Sequence, residues 1–181
     1  VWTQQPTYTV TYDANATDAS GEVPTDDNDY LEGATVTVKG NSGSLERTGY
    51  TFAGWNTTSD GNGTDYAAGA TFAMGSSHDT LYAVWTQQPT YTVTYDANAT
   101  DASGEVPTDD NDYLEGSTVT VKGNTGSLER TGYTFAGWNT ASDGNGTDYA
   151  AGATFAMGSS HDTLYAVWTQ QPTYTVTYDA N

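Results

Sequence analysis

Residues 84–98 read VWTQQPTYTVTYDAN, and the same string occurs at residues 1–15 and 167–181. The copies begin 83 residues apart, so two complete units, 1–83 and 84–166, lie between them. Self-similarity at a fixed period is the signature of a tandem array, and it predicts one structural unit built twice. The two units differ only by exchanges between small residues: Ala34 for Ser117, Ser42 for Thr125, and Thr58 for Ala141.

The quoted stretch contains the first predicted strand of the unit. In residues 7–12, Tyr8, Val10 and Tyr12 alternate with threonines, which is the period of a half-buried strand. Residues 35–38 alternate in the same way and predict a second strand.

Two further strands are predicted to form the centre of the unit. Strict alternation over residues 49–55 would place the rings of Phe52 and Trp55 on opposite faces, because an odd number of residues separates them. A β-bulge at Gly54 would bring both rings into one core. Residues 80–85 are apolar on both faces, so we expect a central strand that is covered on both sides.

Short segments complete the unit. Residues 71–74 fit either a short strand or a single helical turn, and residues 30–32 fit one helical turn. No longer helix is expected, since no stretch of 10 or more residues without Gly or Pro shows a 3.6-residue apolar period. The fold class predicted is therefore mostly β, with little helix.

Short polar linkers separate the repeats, and Pro89 in one of them favours an extended path because its φ is fixed. We expect small domains arranged as beads on a string, in a natural protein that continues beyond both ends of this chain. The predicted segments are the end of a preceding repeat with its linker at 1–6, a first repeat at 7–86, a linker at 87–89, a second repeat at 90–169, a linker at 170–172, and the first strand of a truncated third repeat at 173–181.

Charge is the strongest compositional feature. The chain has 23 Asp and Glu against 4 Lys and Arg, which gives a net charge of −19. Such a surface repels nucleic acid, whose binding needs clustered cations, and it disfavours anionic lipid headgroups. The chain has no Cys, which excludes disulfides and thiolate metal sites. No apolar run approaches about 20 residues, so we expect no membrane insertion in this segment.

Three blocks of each unit carry a resemblance to a known family. In the first unit they are YTVTYDAN at 8–15, GYTFAGWN at 49–56 and TLYAVW at 80–85, and the second unit repeats all three. These blocks resemble the Listeria–Bacteroides repeat, also called the internalin B-repeat. The resemblance implies a β-grasp unit, like ubiquitin or SUMO, in a secreted or wall-anchored prokaryotic surface protein. It implies no catalytic residue and no cofactor.

One acidic turn resembles the start of a calcium loop, because oxygen-bearing side chains alternate along residues 60–65. The full pattern needs acids where Thr64 and Thr71 stand. A plain turn rich in Gly, Asn and Asp explains these residues as well. The weak calcium candidates are Asp60, Asn62 and Asp65, with their counterparts Asp143, Asn145 and Asp148.

Acceptor sequons for N-glycosylation occur in both units, at predicted loops or strand ends where a glycan would fit. The second unit lacks one of them, because Ala141 stands where the first unit has Thr58. The candidate acceptors are Asn15, Asn56, Asn62, Asn98 and Asn145.

Catalytic chemistry finds no support in the sequence. His78 and His161 are the only histidines, one per unit, and neither has a second His or a Cys nearby. A triad or metal site needs convergent partners, so we expect both to be solvated loop residues and the chain not to be an enzyme.

Repetition, stiff linkers and solubilising charge favour a structural extracellular stalk or fibre that projects from or connects cells. Its partners would be neighbouring repeats of the same chain, or other copies of the chain that associate by strand exchange through residues 174–178. The alternative hypothesis is a carbohydrate- or surface-binding adhesion module that uses exposed aromatic side chains.

Overall fold

The computed structural model describes residues 1–179, which form sixteen β-strands and no helix. The chain divides into two compact units, Val1–Gln88 and Pro89–Asn181. The prediction of a mostly β chain of tandem repeats is confirmed.

The strands of the first unit are β1 (Thr7–Tyr8), β2 (Val10–Asp13), β3 (Tyr30–Leu31), β4 (Thr35–Thr37), β5 (Tyr50–Asn56), β6 (Asp65–Tyr66), β7 (Thr71–Ala73) and β8 (Asp79–Gln87). Those of the second unit are β9 (Thr90–Tyr91), β10 (Val93–Asp96), β11 (Tyr113–Leu114), β12 (Thr118–Thr120), β13 (Tyr133–Asn139), β14 (Asp148–Tyr149), β15 (Thr154–Ala156) and β16 (Asp162–Gln170).

A four-stranded mixed sheet organises each unit. In the first unit the order is β2-β8-β5-β6, with β2 parallel to β8 and the other pairs antiparallel. The second unit repeats this order as β10-β16-β13-β14. β8 is therefore central, as its apolar sequence predicts. Its Leu81 and Ala83 are buried, whereas Tyr82 and Val84 on the other face are only partly buried, so the expectation of full cover is wrong for that face.

Two small antiparallel sheets complete the unit, β1 with β3 and β4 with β7. The predicted helical turn at residues 30–32 is wrong, because Tyr30 and Leu31 form β3 and pair with Tyr8 and Thr7. Residues 71–74, left open between strand and helical turn, begin with strand β7. Tertiary pairing decides short segments of this kind more than local preference does.

The bulge predicted at Gly54 is confirmed. The pairing of β5 with β8 shifts register between Phe52 and Gly54, and Gly54 adopts a φ of 140°. As a result both rings reach one core, with the centroids of Phe52 and Trp55 5.0 Å apart. A Cβ atom at Gly54 would lie 2.9 Å from the main-chain oxygen of Tyr66, so this position needs glycine.

Trp55 lies at the centre of the first core and is completely buried. Its Nε1 donates to the main-chain oxygen of Lys39 at 2.9 Å, and its ring meets Tyr12 edge-on at 4.7 Å. The Tyr12 hydroxyl accepts a bond from the Lys39 N–H at 2.8 Å. The other buried apolar residues are Val10, Val36, Val38, Leu45, Met74, Leu81 and Ala83. The second unit has the equivalent core around Trp138.

The β-grasp name implied by the resemblance is not confirmed. In the four-stranded sheet of the first unit, the first strand in sequence, β2, lies parallel to the last, β8. No helix covers this sheet within residues 1–179. None of the described residues forms a helix long and apolar enough to cross a membrane.

Candidate functional site

The turn between β5 and β6, residues 56–65, holds most of the predicted site residues and is called the Asn56 turn below. Asn56 is fully buried and organises it. Its Oδ1 accepts bonds from the main-chain N–H groups of Thr58 at 2.8 Å and Gly63 at 3.1 Å. Its Nδ2 donates to Asp65 Oδ1 at 2.7 Å. The Asn56 amide is thus consumed in shaping the turn, as a buried polar group requires.

Gly63 allows the turn to close on itself. A Cβ atom there would lie 2.2 Å from Thr57 Oγ1 and 2.8 Å from Asn56 Oδ1. No other residue fits without displacing these side chains, so the fold fixes glycine directly after Asn62.

Asp60 is the most perturbed acid of the turn. Its carboxylate accepts bonds from the Thr58 hydroxyl at 2.7 Å, and from the main-chain N–H and side-chain amide of Asn62 at 3.1 and 3.0 Å. These bonds favour the charged form, with the Thr58 hydroxyl contributing most, and they lower the pKa of Asp60 to about 2.

The second unit contains a natural variant of this network. Ala141 stands where the first unit has Thr58, so the hydroxyl is missing. Asp143 keeps only the bonds from Asn145, which still lower its pKa below the ordinary value. The two turns therefore differ by one hydroxyl and the bonds that it makes.

Two carboxylates among the calcium candidates already accept hydrogen bonds from the protein. Asp60 and Asp65 each accept hydrogen bonds from protein donors within the turn. Among residues 1–179, no group of three or more His, Asp or Glu side chains converges in a way that would hold a metal ion. Calcium at the six sequence candidates stays a hypothesis.

The glycosylation candidates fall into two structural classes. Asn15 and Asn98 have a positive φ and donate their amides to main-chain oxygens, Asn15 to those of Ser59 and Ala83 at 2.9 and 3.1 Å. Asn56 is buried in its turn. Asn62 and Asn145 are exposed, and a glycan there would require fewer bonds to break. Glycosylation itself stays a prediction at all five positions.

His78 has a structural bond that the sequence did not reveal. It is exposed, as expected of a loop residue, but its Nδ1 accepts the main-chain N–H of Thr9 at 3.0 Å. Thr9 is the residue that separates β1 from β2, and its own oxygen accepts from Asp79 N at 3.0 Å. His78 therefore satisfies a donor at the point where the chain leaves one sheet for another.

A surface groove of about 400 Å³ on the first unit lies beside this histidine. The rings of Tyr66 and Phe72 stack there with centroids 5.1 Å apart. The residues that line the groove include Thr57, Tyr66, Phe72, His78, Asp79 and Tyr82.

A family model and two curated proteins match this chain in sequence. The model of the Listeria-Bacteroides repeat domain matches residues 8–84 and again residues 91–167. A protein of Evansella cellulosilytica, whose name describes it as a Gly-rich membrane protein, is 39% identical over 178 residues, covering 96% of this chain and 20% of its own length. A second protein of that organism, named as a membrane protein, is 38% identical over 161 residues, covering 89% and 22%.

The chain thus spans about a fifth of the length of these curated relatives. Among solved structures, domains 3-4 of the Streptococcal High Identity Repeats in Tandem from a cell surface protein align with a TM-score of 0.41. Their sequence identity is 14%, and the alignment covers 93% of this chain and 100% of that one.

Proposed function

Because the chain belongs to the Listeria-Bacteroides repeat domain family, we propose that it is part of a structural cell-surface protein whose tandem units form an extracellular stalk or fibre. The observation that carries the proposal is the repetition of one complete fold. The two units have the same strand order, and the parallel pair that joins Val10 to Asp79 recurs as Val93 with Asp162. Each unit has its own core, so adding units adds modules rather than enlarging one domain.

Few residues connect the two units. β8 ends at Gln87, and the Gln88 main-chain N–H still donates to the Gly49 oxygen at 2.8 Å. β9 begins at Thr90, which leaves only Pro89 between the hydrogen-bonded chains of the two units. Proline restricts its own φ, so one torsion angle of this short connection is fixed.

Charge supports an extended and soluble array. With a net charge of −19, neighbouring copies repel one another and resist collapse or clumping. No catalytic activity and no cofactor are assigned to the chain in this proposal.

Scattering in solution tests the proposal. A compact domain of this size has a radius of gyration near 12 Å, so each unit should add roughly 30–45 Å to the maximum dimension. We expect chains with two, four and six units to lengthen linearly with unit number in small-angle X-ray scattering. Growth with the cube root of mass, as in one globule, would reject the stalk.

For partners we propose neighbouring repeats of the same chain, with association of separate copies as the variant to test. Such association would use the strand pattern of residues 174–178, where Tyr174, Val176 and Tyr178 are exposed. Light scattering distinguishes the two arrangements: a molar mass of one chain at all concentrations supports the single-chain stalk, and a concentration-dependent increase supports a multi-chain filament.

Carbohydrate binding is the second candidate function, and the groove beside His78 favours it. A groove lined by both aromatic side chains and Asp79 suits a neutral sugar, whose faces are apolar and whose hydroxyls donate hydrogen bonds. A glycan array probed with this chain would support it through binding to neutral glycans. Sulfated glycans serve as the control, since the negative charge of the protein should exclude them.

A further inference from the structure

The sequence places Asn directly before Gly at only two points, Asn62–Gly63 and Asn145–Gly146. Both pairs occupy the same exposed position, one in the Asn56 turn and one in its counterpart in the second unit. We propose that these asparagines are sites of spontaneous deamidation, and that the Thr58 hydroxyl slows the reaction in the first unit only. This inference is independent of the stalk proposed above.

The reaction needs no reagent other than water. The main-chain nitrogen of the glycine attacks Cγ of the asparagine, so that a C–N bond forms and closes a five-membered succinimide. The bond from Cγ to Nδ2 breaks, and Nδ2 leaves as ammonia with the proton that the glycine nitrogen loses. Water then adds to one of the two ring carbonyls, and the bond from that carbonyl carbon to the ring nitrogen breaks. Opening at the main-chain carbonyl gives isoaspartate, and opening at Cγ gives aspartate.

Glycine favours this attack because it has no side chain to hinder the approach. Every other Asn with a following residue precedes one that carries a side chain. The fold disfavours replacement of this glycine, since a Cβ at Gly63 would lie 2.2 Å from Thr57 Oγ1. The turn therefore requires the residue that makes Asn62 reactive.

Hydrogen bonds on the attacking nitrogen decide how fast each site reacts. The Gly63 N–H donates to Asn56 Oδ1 at 3.1 Å and to Thr58 Oγ1 at 2.9 Å. In the second unit the Gly146 N–H donates only to Asn139 Oδ1, also at 3.1 Å. These bonds must break before the nitrogen can turn towards Cγ and lose its proton.

We expect Asn145 to deamidate about fivefold faster than Asn62, the factor that one net hydrogen bond contributes. Each event adds one negative charge to a chain that already has −19. An isoaspartate also lengthens the main chain within a turn that Asn56 holds closely. The surface of the array would thus become more negative with age, first in units that have Ala at the position of Ala141.

Peptide mass spectrometry on the intact 181-residue chain tests the proposal. The folded protein is aged in mildly alkaline buffer, sampled over time and digested, and conversion of each amide to acid is measured. Because Thr58 and Ala141 give the two turn peptides different masses, both sites are followed in one sample. The expected result is reaction at both sites, with Asn145 ahead.

Two matched variants and a denatured control complete the experiment. Thr58→Ala should raise the rate at Asn62 to that of Asn145, and Ala141→Thr should lower the rate at Asn145. In urea both sites should react at one common, faster rate, because the protecting bonds are lost. Equal rates in the folded wild type, an order that the exchanges leave unchanged, or no reaction at either site would overturn the proposal.

Discussion

Replacing Trp55 by Phe should destabilise the first unit and leave the second unit unchanged. The Trp55 side chain is fully buried, and its Nε1 gives the Lys39 oxygen its hydrogen bond at 2.9 Å. Phe cannot donate, so the partly buried oxygen loses its partner at a cost of about 1–3 kcal/mol. The smaller ring also leaves space, and this adds part of the ~3–5 kcal/mol that truncation to Ala would cost. The total expected is about 3 kcal/mol.

A loss of that size is large for a domain of 83 residues. It should lower the melting temperature of the first unit by about 12–24 °C. Differential scanning calorimetry of the whole chain would then show two transitions, one shifted and one at the wild-type temperature. Trp138→Phe, which removes the equivalent bond to Lys122, should shift the other unit by the same amount.

Trp2→Phe is the matched control, because Trp2 is fully exposed and the same chemical change should have no effect there. A single transition that moves as a whole in Trp55→Phe would show that the units unfold together, and would refute the assignment of separate cores. An unshifted trace would refute the role given to Trp55.

Three other substitutions test local features of the first unit. Gly54→Ala places a Cβ 2.9 Å from the Tyr66 oxygen at a φ of 140° and should cost about 1–3 kcal/mol in urea unfolding. Thr58→Ala should raise the pKa of Asp60 from about 2 in a carbon-detected NMR titration. Because that pKa lies below its unfolded value, the stabilisation from Asp60 is present above the unfolded pKa and is lost as pH falls towards about 2. Tyr12→Phe leaves the partly buried N–H of Lys39 without an acceptor and should cost about 1–3 kcal/mol, measured in the same way.

Local periodicity predicted the parts of the fold that depend on which face a side chain occupies. Residues 7–12 alternate, and their apolar members Val10 and Tyr12 are buried. The bulge at Gly54 followed from the spacing of Phe52 and Trp55, since only an extra residue brings both rings to one side. Because the two units are nearly identical in sequence, a correct prediction for one unit applied to both.

Contacts between residues that are distant in the chain could not be predicted from local sequence patterns. At the break between β1 and β2, the main-chain N–H of Thr9 donates to Nδ1 of His78, which lies 69 residues away. β3 forms because β1 is beside it, although residues 30–32 alone suggest a helical turn. The sequence of the Asn56 turn suggests metal ligands because it shows the carboxylates but not the hydrogen bonds that the Thr58 hydroxyl and the Asn56 amide make to them.

Electron microscopy of the parent protein on intact cells would test most directly whether the repeats provide reach. Removing whole 83-residue units from the gene should shorten the surface projection in equal steps, each roughly 30–45 Å per unit. A projection whose length stays the same as units are removed, or no projection at all, would contradict the structural role proposed for this chain.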